Sequence, residues 1–371
     1  MGKVRVAVVG LGFGAEFIPI YQKYGASECV AICRRDQKKL DESAKTFGIP
    51  KKYTDYKALL KDPDIDAVHI TSDLNSHGWM AIEALKAGKH AASTVSMALT
   101  IEECEEIVNL EEKTGKVYMM METAVYTREY LYFKKLYEAG EIGRIQFLRG
   151  SHQQNMSLPG WPAYWYGLPP MHYPTHAVSP LSDIINRPIK TVRGLGSGRI
   201  SEEYIKNYHS PFAAESVHLT FADSDIAGEV TRTLFDTIRQ YRESFDFYGT
   251  KKSFEWEQCV GENPVIYSGF EDAEHVNIPD TDGMLPADIA SFSLKDQILD
   301  AEHVSFIQGS GHGGSHPHLV HEFVSAIREG RKSHVSAKVA ANWTVAGLLG
   351  HESAMKGGPA LEMPAFTQFK R

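Results

Sequence analysis

The chain is poor in the features that mark secreted, membrane-spanning or nucleic-acid-binding proteins. Its 371 residues include only four cysteines, Cys29, Cys33, Cys104 and Cys259. They lack CxxC spacing and fall far below the density of a disulfide scaffold; Cys29 and Cys33 sit in an apolar run and read as small buried hydrophobes. No run of about 18 apolar residues occurs, and no charged and apolar leader precedes the first expected strand, so neither a membrane-crossing helix nor an export signal is expected. Basic blocks are missing too, and the formal net charge is -8, which argues against nucleic acid and anionic membrane as partners. Internal repeats and low-complexity segments are absent. What remains is a cytoplasmic protein in a reducing compartment, acting on a small molecule of little or no charge.

What is present suffices for two cores. A chain of 371 residues with 43% hydrophobic content predicts two domains. Up to about residue 123, apolar strands (Val4 to Val9, Cys29 to Cys33, Ala67 to Ile70, His90 to Ser93, Val117 to Met121) alternate with amphipathic segments such as Trp79 to Lys86 and Ile101 to Lys113. That alternation predicts an α/β fold with a parallel, doubly wound sheet. The segment Ile101 to Lys113 is bounded by the capping box Thr100-Ile101-Glu102-Glu103 and by Gly115. After a helix expected at Arg128 to Glu138, strands follow without intervening helices: Ile145 to Ser151, Val192 to Gly196, Ser216 to Phe221, Ile226 to Leu234 and Ser244 to Tyr248. These predict a second α/β domain, residues 124–371 after a first domain of 1–123, with a large, mostly antiparallel open sheet and helices at His318 to Arg328 and Ala337 to Met355. An open antiparallel sheet can present one face to another subunit, so a homo-oligomer is expected.

The first strand runs directly into Gly10-Leu11-Gly12-Phe13-Gly14-Ala15, a G-x-G-x-x-A pattern between an apolar strand and a helical stretch. In that setting the first glycine permits the turn, the second admits a pyrophosphate, the small third residue lets helix and strand pack, and the helix N-terminus faces the phosphate. A dinucleotide is therefore expected, with Gly10, Gly12, Phe13, Gly14 and Ala15 in contact. The second strand ends about 20 residues later at Arg34-Arg35-Asp36, where the ribose contact falls. A carboxylate suits a free 2'-hydroxyl, whereas arginine suits a 2'-phosphate or lies flat on adenine; NAD is expected, and Arg34 keeps NADP open. Arg35, Thr71 and His77 complete the expected cofactor contacts.

Further segments resemble the glucose-fructose oxidoreductase, inositol dehydrogenase and rhizopine catabolism (Gfo/Idh/MocA) family along essentially the whole chain. The matches are the glycine loop, Asp55-Tyr56-Lys57-Ala58-Leu59-Leu60 with Asp64-Ile65-Asp66-Ala67-Val68, Asn75-Ser76-His77, Ala84-Leu85-Lys86-Ala87-Gly88-Lys89-His90, Gly140-Glu141-Ile142-Gly143 and Gly311-His312-Gly313-Gly314. The resemblance implies a Rossmann domain followed by an α/β domain whose sheet commonly forms the subunit interface. Most dehydrogenases of the family follow the Gly-Lys-His segment with Glu-Lys-Pro, the lysine lying beside the nicotinamide; here the aligned residues are Thr94-Val95-Ser96. A second likeness supplies a replacement. Met171-His172-Tyr173-Pro174-Thr175-His176 resembles the Tyr-Pro-Thr-His segment of the family's NAD-dependent glycosidases, notably α-N-acetylgalactosaminidases, which also lack that lysine. It implies active-site roles for Tyr173 and His176, and Met121-Glu122 matches a place where those enzymes have an active-site glutamate.

The scheme the resemblance implies oxidises C3 of a sugar by hydride transfer to nicotinamide. The ketone acidifies the C2 proton; internal elimination and water addition then give a redox-neutral glycosidase, whereas release of the keto sugar gives a 3-dehydrogenase. Both need a base for the C3 hydroxyl. Histidine, with an ordinary pKa near 6.5, suits that role, so His176 is the expected base and Tyr173 its partner; the structural alternative makes His176 a packing or capping residue. Glu122 either serves substrate hydroxyls and the C2 proton or pairs with Arg128 or Arg149. His77 either lies near the cofactor or caps the helix that begins there. Trp161 and Trp165, in an aromatic loop, with His152 and Gln154, are expected to face a sugar or aglycone; the alternative is a loop plug or subunit contact. Among His312, His316, His318 and His321, the intervening Gly313, Gly314 and Pro317 oppose a shared helical face, so no metal is expected and His312 is assigned to substrate. The leading expectation is an NAD(P)-dependent sugar or glycoside 3-dehydrogenase, with a redox-neutral glycosidase and a noncatalytic sugar or cofactor sensor as alternatives.

Overall fold

The structure, a computed structural model, describes residues 2–239, 241–259, 261–295 and 311–370. The chain forms two compact units: Met1–Arg128 with Asp280–Ala340, and Glu129–Pro279 with Ala341–Arg371.

In the first unit the chain runs β1 (Val4–Val9), α1 (Ile18–Lys23), β2 (Ser27–Cys33), α2 (Gln37–Phe47), β3 (Lys51–Tyr53), α3 (Tyr56–Leu60), β4 (Ala67–Ile70), α4 (His77–Lys86), β5 (His90–Ser93), α5 (Ile101–Thr114) and β6 (Tyr118–Met120). The six strands lie in the order β3-β2-β1-β4-β5-β6, all pairs parallel. This is the doubly wound Rossmann arrangement, with its topological switch between β1 and β4. The expected caps form: Thr100 Oγ1 accepts from the Glu103 amide at 3.2 Å, and Gly115 closes α5 at φ +65°. The short β3, Lys-Lys-Tyr, carried no apolar run and was not anticipated.

The first unit's core is completed by residues far along the chain. Val6, Val8, Phe17, Ile32 and Met119 share one apolar cluster with Ile289, Phe292, Leu319, Val320, Phe323 and Val324. Four of the latter lie on α10 (His316–Glu329), which follows α9, a single turn at Gly311–Gly314. The spacing of Leu319, Val320, Phe323 and Val324 makes one helical stripe that must be covered. The linear division at residue 123 thus differs from the folded grouping, in which 280–340 packs with the Rossmann sheet.

The second unit is built on α6 (Arg128–Glu138), β7 (Ile145–Gln154), α7 (Thr175–Ile185), β8 (Ile189–Ser197), α8 (Glu202–Tyr208), β9 (Ala214–Phe221), β10 (Ala227–Thr233), β11 (Tyr241–Gly249), β12 (Ser253–Glu255), β13 (Val265–Tyr267), β14 (Ala273–His275) and β15 (Leu361–Glu362). Helix α11 (Ala337–Met355) passes from the first unit into the second. The nine strands form one mixed sheet, β14-β13-β12-β11-β7-β10-β9-β8-β15, antiparallel except for the parallel β10–β7 pair. Helix α7 lies hard against this sheet: a Cβ on Gly150 of β7 would come within 1.9 Å of the Ala177 carbonyl oxygen. That approach sets His176, one residue before Ala177, over the middle strands.

Candidate active site

In the first unit the glycine loop forms an open cradle. Gly10 turns at φ +88° and donates its N–H to the Cys33 carbonyl at 2.9 Å. Any Cβ there would meet the Thr71 carbonyl at 2.6 Å, so only glycine fits. Thr71 braces the loop: its amide donates to Val9 O at 2.7 Å, and its hydroxyl to Val9 O at 3.0 Å and to Gly10 O. A Cβ added to Gly12 meets no heavy atom within 4 Å, which leaves room for a pyrophosphate at the backbone. Phe13 opens a 3-10 turn, Phe13–Phe17, before the six-residue α1; the expected single helix is thus divided, with half-buried Ala15 inside the turn. At the end of β2, Arg34 is half-buried and Arg35 exposed, the latter 3.7 Å from Asp73; Asp36 caps α2 by accepting from the Lys39 amide.

The positions after β5 and β6 are tightly held. Val95 is buried and the Val95–Ser96 peptide is cis. His77, the first residue of α4, is buried, with Nδ1 2.9 Å from the Ser96 carbonyl and Nε2 3.1 Å from both the Ser72 carbonyl and Thr94 Oγ1. A neutral ring donating from Nδ1 to Ser96 can accept at Nε2 from Thr94, tying the loops after β4 and β5 together. Burial pushes its pKa down despite the two carbonyls. Glu122 is fully buried and accepts from the Ala124 amide at 2.9 Å, capping the 3-10 turn Thr123–Val125. The arginines proposed as its partners reach other acids, Arg128 Asp280 at 3.5 Å and Arg149 Glu229 at 2.5 Å.

His312 also belongs to the first unit, where it adopts φ +46°. Its Nδ1 lies 3.1 Å from His316 Nε2, and His316 Nδ1 lies 3.4 Å from Glu16 Oε2; Phe13 sets its ring edgewise against both imidazoles. Burial drives the His316 pKa well down and raises Glu16 to about 7.

The second unit gathers Tyr173, His176, His152 and Gln154. Tyr173 Oη is 3.3 Å from His176 Nε2, on the first turn of α7, and the His176 ring meets His152 at 5.0 Å between centroids. Trp165 is buried and places its edge against Tyr173 at 5.0 Å, while Trp161 reaches Trp165 at 6.4 Å. Three residues absent from the sequence-based set complete the group. Glu243 Oε1 lies 3.8 Å from His176 Nε2 and accepts from the Tyr241 hydroxyl. Arg232, completely buried, donates to the carbonyls of Tyr173 (3.0 Å), His152 (3.2 Å) and Thr233 and to Gln154 Oε1 (2.9 Å). Desolvation lowers its pKa to about 10, so it remains a cation at neutral pH.

His152, His176 and Glu243 bring ligand atoms within 4.8 Å of one another, a donor set that suits a first-row divalent ion. The buried Arg232 charge opposes one.

Fold and site together define a protein with a dinucleotide cradle in one unit and a buried tyrosine–imidazole–carboxylate group in the other. Residues 4–122 match the family described as "Oxidoreductase family, NAD-binding Rossmann fold" (GFO_IDH_MocA). The whole chain is similar to a glycosyl hydrolase family 109 protein of Shewanella pealeana and to an α-N-acetylgalactosaminidase of Shewanella oneidensis, each 26% identical over 99% of this chain and 86% of the relative. In fold it is similar to levoglucosan dehydrogenase in complex with NADH and levoglucosan, with TM-score 0.77, 21% identity and coverage of 98% of this chain and 100% of the other. It is likewise similar to myo-inositol 2-dehydrogenase from Lactobacillus plantarum, with TM-score 0.71, 17% identity and the same coverages.

Proposed function

We propose that this chain is a dehydrogenase that oxidises the C3 hydroxyl of a sugar or glycoside to a ketone, using NAD or NADP. The observation that carries this reading is the pairing of Tyr173 Oη and His176 Nε2 at 3.3 Å, which offers the proton acceptor that a valine at position 95 cannot be. The open backbone at Gly12 fits a dinucleotide pyrophosphate. Bound there, the nicotinamide supplies the hydride acceptor. The chain's own task is the proton: Tyr173 meets the substrate hydroxyl and His176 takes the charge. Trp161, Trp165 and Gln154 suit a sugar's apolar face and hydroxyls, and Glu122 and His312 are further substrate contacts on this reading. Arg34 makes a 2'-phosphate acceptable.

Purified protein incubated with NAD and an aryl glycoside should yield NADH and 3-keto sugar in equal amounts, and denaturing release followed by mass spectrometry should identify the bound cofactor. The likeness to an α-N-acetylgalactosaminidase supports a second reading, a redox-neutral glycosidase with retained NAD. Aglycone release with no added cofactor and no net NADH would select it. Binding of both ligands without NADH or deuterium wash-in at C2 would instead make the chain a sensor. Four free thiols fit a cytoplasmic setting, and no helix among the described residues is long and apolar enough to cross a membrane. The open sheet of the second unit is the proposed homo-oligomer surface.

A further inference from the structure

One transverse row of the second unit's sheet carries charge through its interior. Register pairs Glu243 of β11 with His152 of β7, His152 with Arg232 of β10, and Arg232 with Glu215 of β9. Paired residues point to one face, and here it is the face that α7 covers. His152, Arg232 and Glu215 are at most 1% exposed, and the Glu243 side chain is 11% exposed.

Every hydrogen bond from the Arg232 guanidinium goes to an uncharged oxygen: three carbonyls and one amide. A cation buried in this way needs a counter-charge nearby. The row offers two. Glu215 is held from the far side by His351 Nδ1 at 2.6 Å and by the Met171 amide at 2.7 Å. Glu243 faces the candidate site, where it accepts from Tyr241 and lies 3.8 Å from His176 Nε2.

We infer that Glu243 is the positioning residue for His176: set in the same row as the Arg232 cation, its carboxylate holds the proton that His176 Nε2 receives through Tyr173. The inference rests on the proposed oxidation of a sugar hydroxyl. As the C3 hydrogen leaves with its electron pair to the nicotinamide, the C3 hydroxyl proton passes to Tyr173 Oη and the tyrosine's own proton passes to His176 Nε2. The C–O single bond becomes the carbonyl and His176 becomes the imidazolium. Among the described residues, His176 meets Tyr173 from the preceding turn, His152 from β7 and Glu243 from β11, with Arg232 over the Tyr173 ring and Tyr241 bonded to Glu243. Glu243 places its carboxylate 3.8 Å from His176 Nε2, so its removal acts on the imidazolium directly.

The test is NMR titration of the full chain labelled at histidine, without substrate, with the His176 signal assigned by loss in His176→Asn. Glu243→Gln should lower the His176 pKa by at least one unit, Glu243→Asp should restore most of that shift, and thermal melting should show both variants folded. An unchanged His176 titration in folded Glu243→Gln would overturn the inference, as would saturable zinc or manganese binding that Glu243→Gln abolishes. Should Glu243→Gln fail to fold, Glu243→Ala takes its place: a His176 pKa lowered by at least one unit supports the inference, and one unchanged from wild type overturns it. Because no substrate is present, the titration is independent of turnover. A pKa shift without 3-keto product would leave the positioning role standing and remove the substrate reading.

Discussion

At the residue scale, the two sub-sites make separable demands. Gly12 has open space where a side chain would go, so Gly12→Val should leave the melting temperature within about 2 °C, since surface changes of this kind cost little, while weakening NAD or NADH binding at least roughly tenfold as the side chain fills the phosphate space. Calorimetric titration checks the first claim against the second. His176→Ala and Tyr173→Phe should each lower turnover by about tenfold or more, within the range of general acid–base catalysis, and leave cofactor affinity unchanged. Wild-type rates in both would remove the assignment. Tyr173 and His176 were legible because a turn and the first helical residues bring i and i+3 together within one tetrapeptide. Glu243 and Arg232 were not, since their partner His152 lies about 80 to 90 positions away and only strand register joins them.

At the scale of elements, strands and helices followed the apolar periodicity closely, and the capping box at Thr100 set the start of α5 where expected. What periodicity missed was the 3-10 turn after the glycine loop, the polar β3, because a three-residue polar strand is held by its neighbour and not by its own pattern, and the helices α7 and α8, which separate β7, β8 and β9 where strands were expected to follow without intervening helices. Several element junctions are closed by buried imidazoles. Burial lowers His69 and His172 to about 3 and His90 and His318 to about 4. Unfolded, each binds a proton below about 6.5; folded, each resists it, so the unfolded chain holds more protons and stability falls as pH drops from 6.5 toward 4. Glu16, raised to about 7 by burial, acts oppositely between its ordinary range and 7, as do Glu103, Glu111, Asp246 and Glu257, which burial also raises; with His77, His316 and His321 also lowered, seven imidazoles stand against these five carboxyls. Chemical denaturation should therefore show a lower midpoint at pH 5 than at pH 7; an equal or higher midpoint at pH 5 would contradict the burial of these rings.

At the scale of the molecule, the sequence read as two successive halves, whereas the first unit draws on Asp280–Ala340 as well as Met1–Arg128, and Ala341–Arg371 returns to the second. Composition carries no record of which apolar helix covers which sheet, so the stripe on α10 announced a buried face without naming its cover. A fragment of residues 1–128 should show no cooperative thermal transition by circular dichroism, and fusing residues 280–340 to it should restore one. A sharp transition in the shorter fragment would show that Leu319, Val320 and Phe323 are dispensable. The same returning segment has a consequence during synthesis. The Rossmann strands leave the ribosome first, yet their apolar face waits for a helix nearly 200 positions further on, on the order of 10 to 40 s at ordinary elongation rates. For that interval the nascent chain exposes a sticky, half-covered sheet, so expression yield should depend on chaperone supply more than the finished fold's burial would suggest.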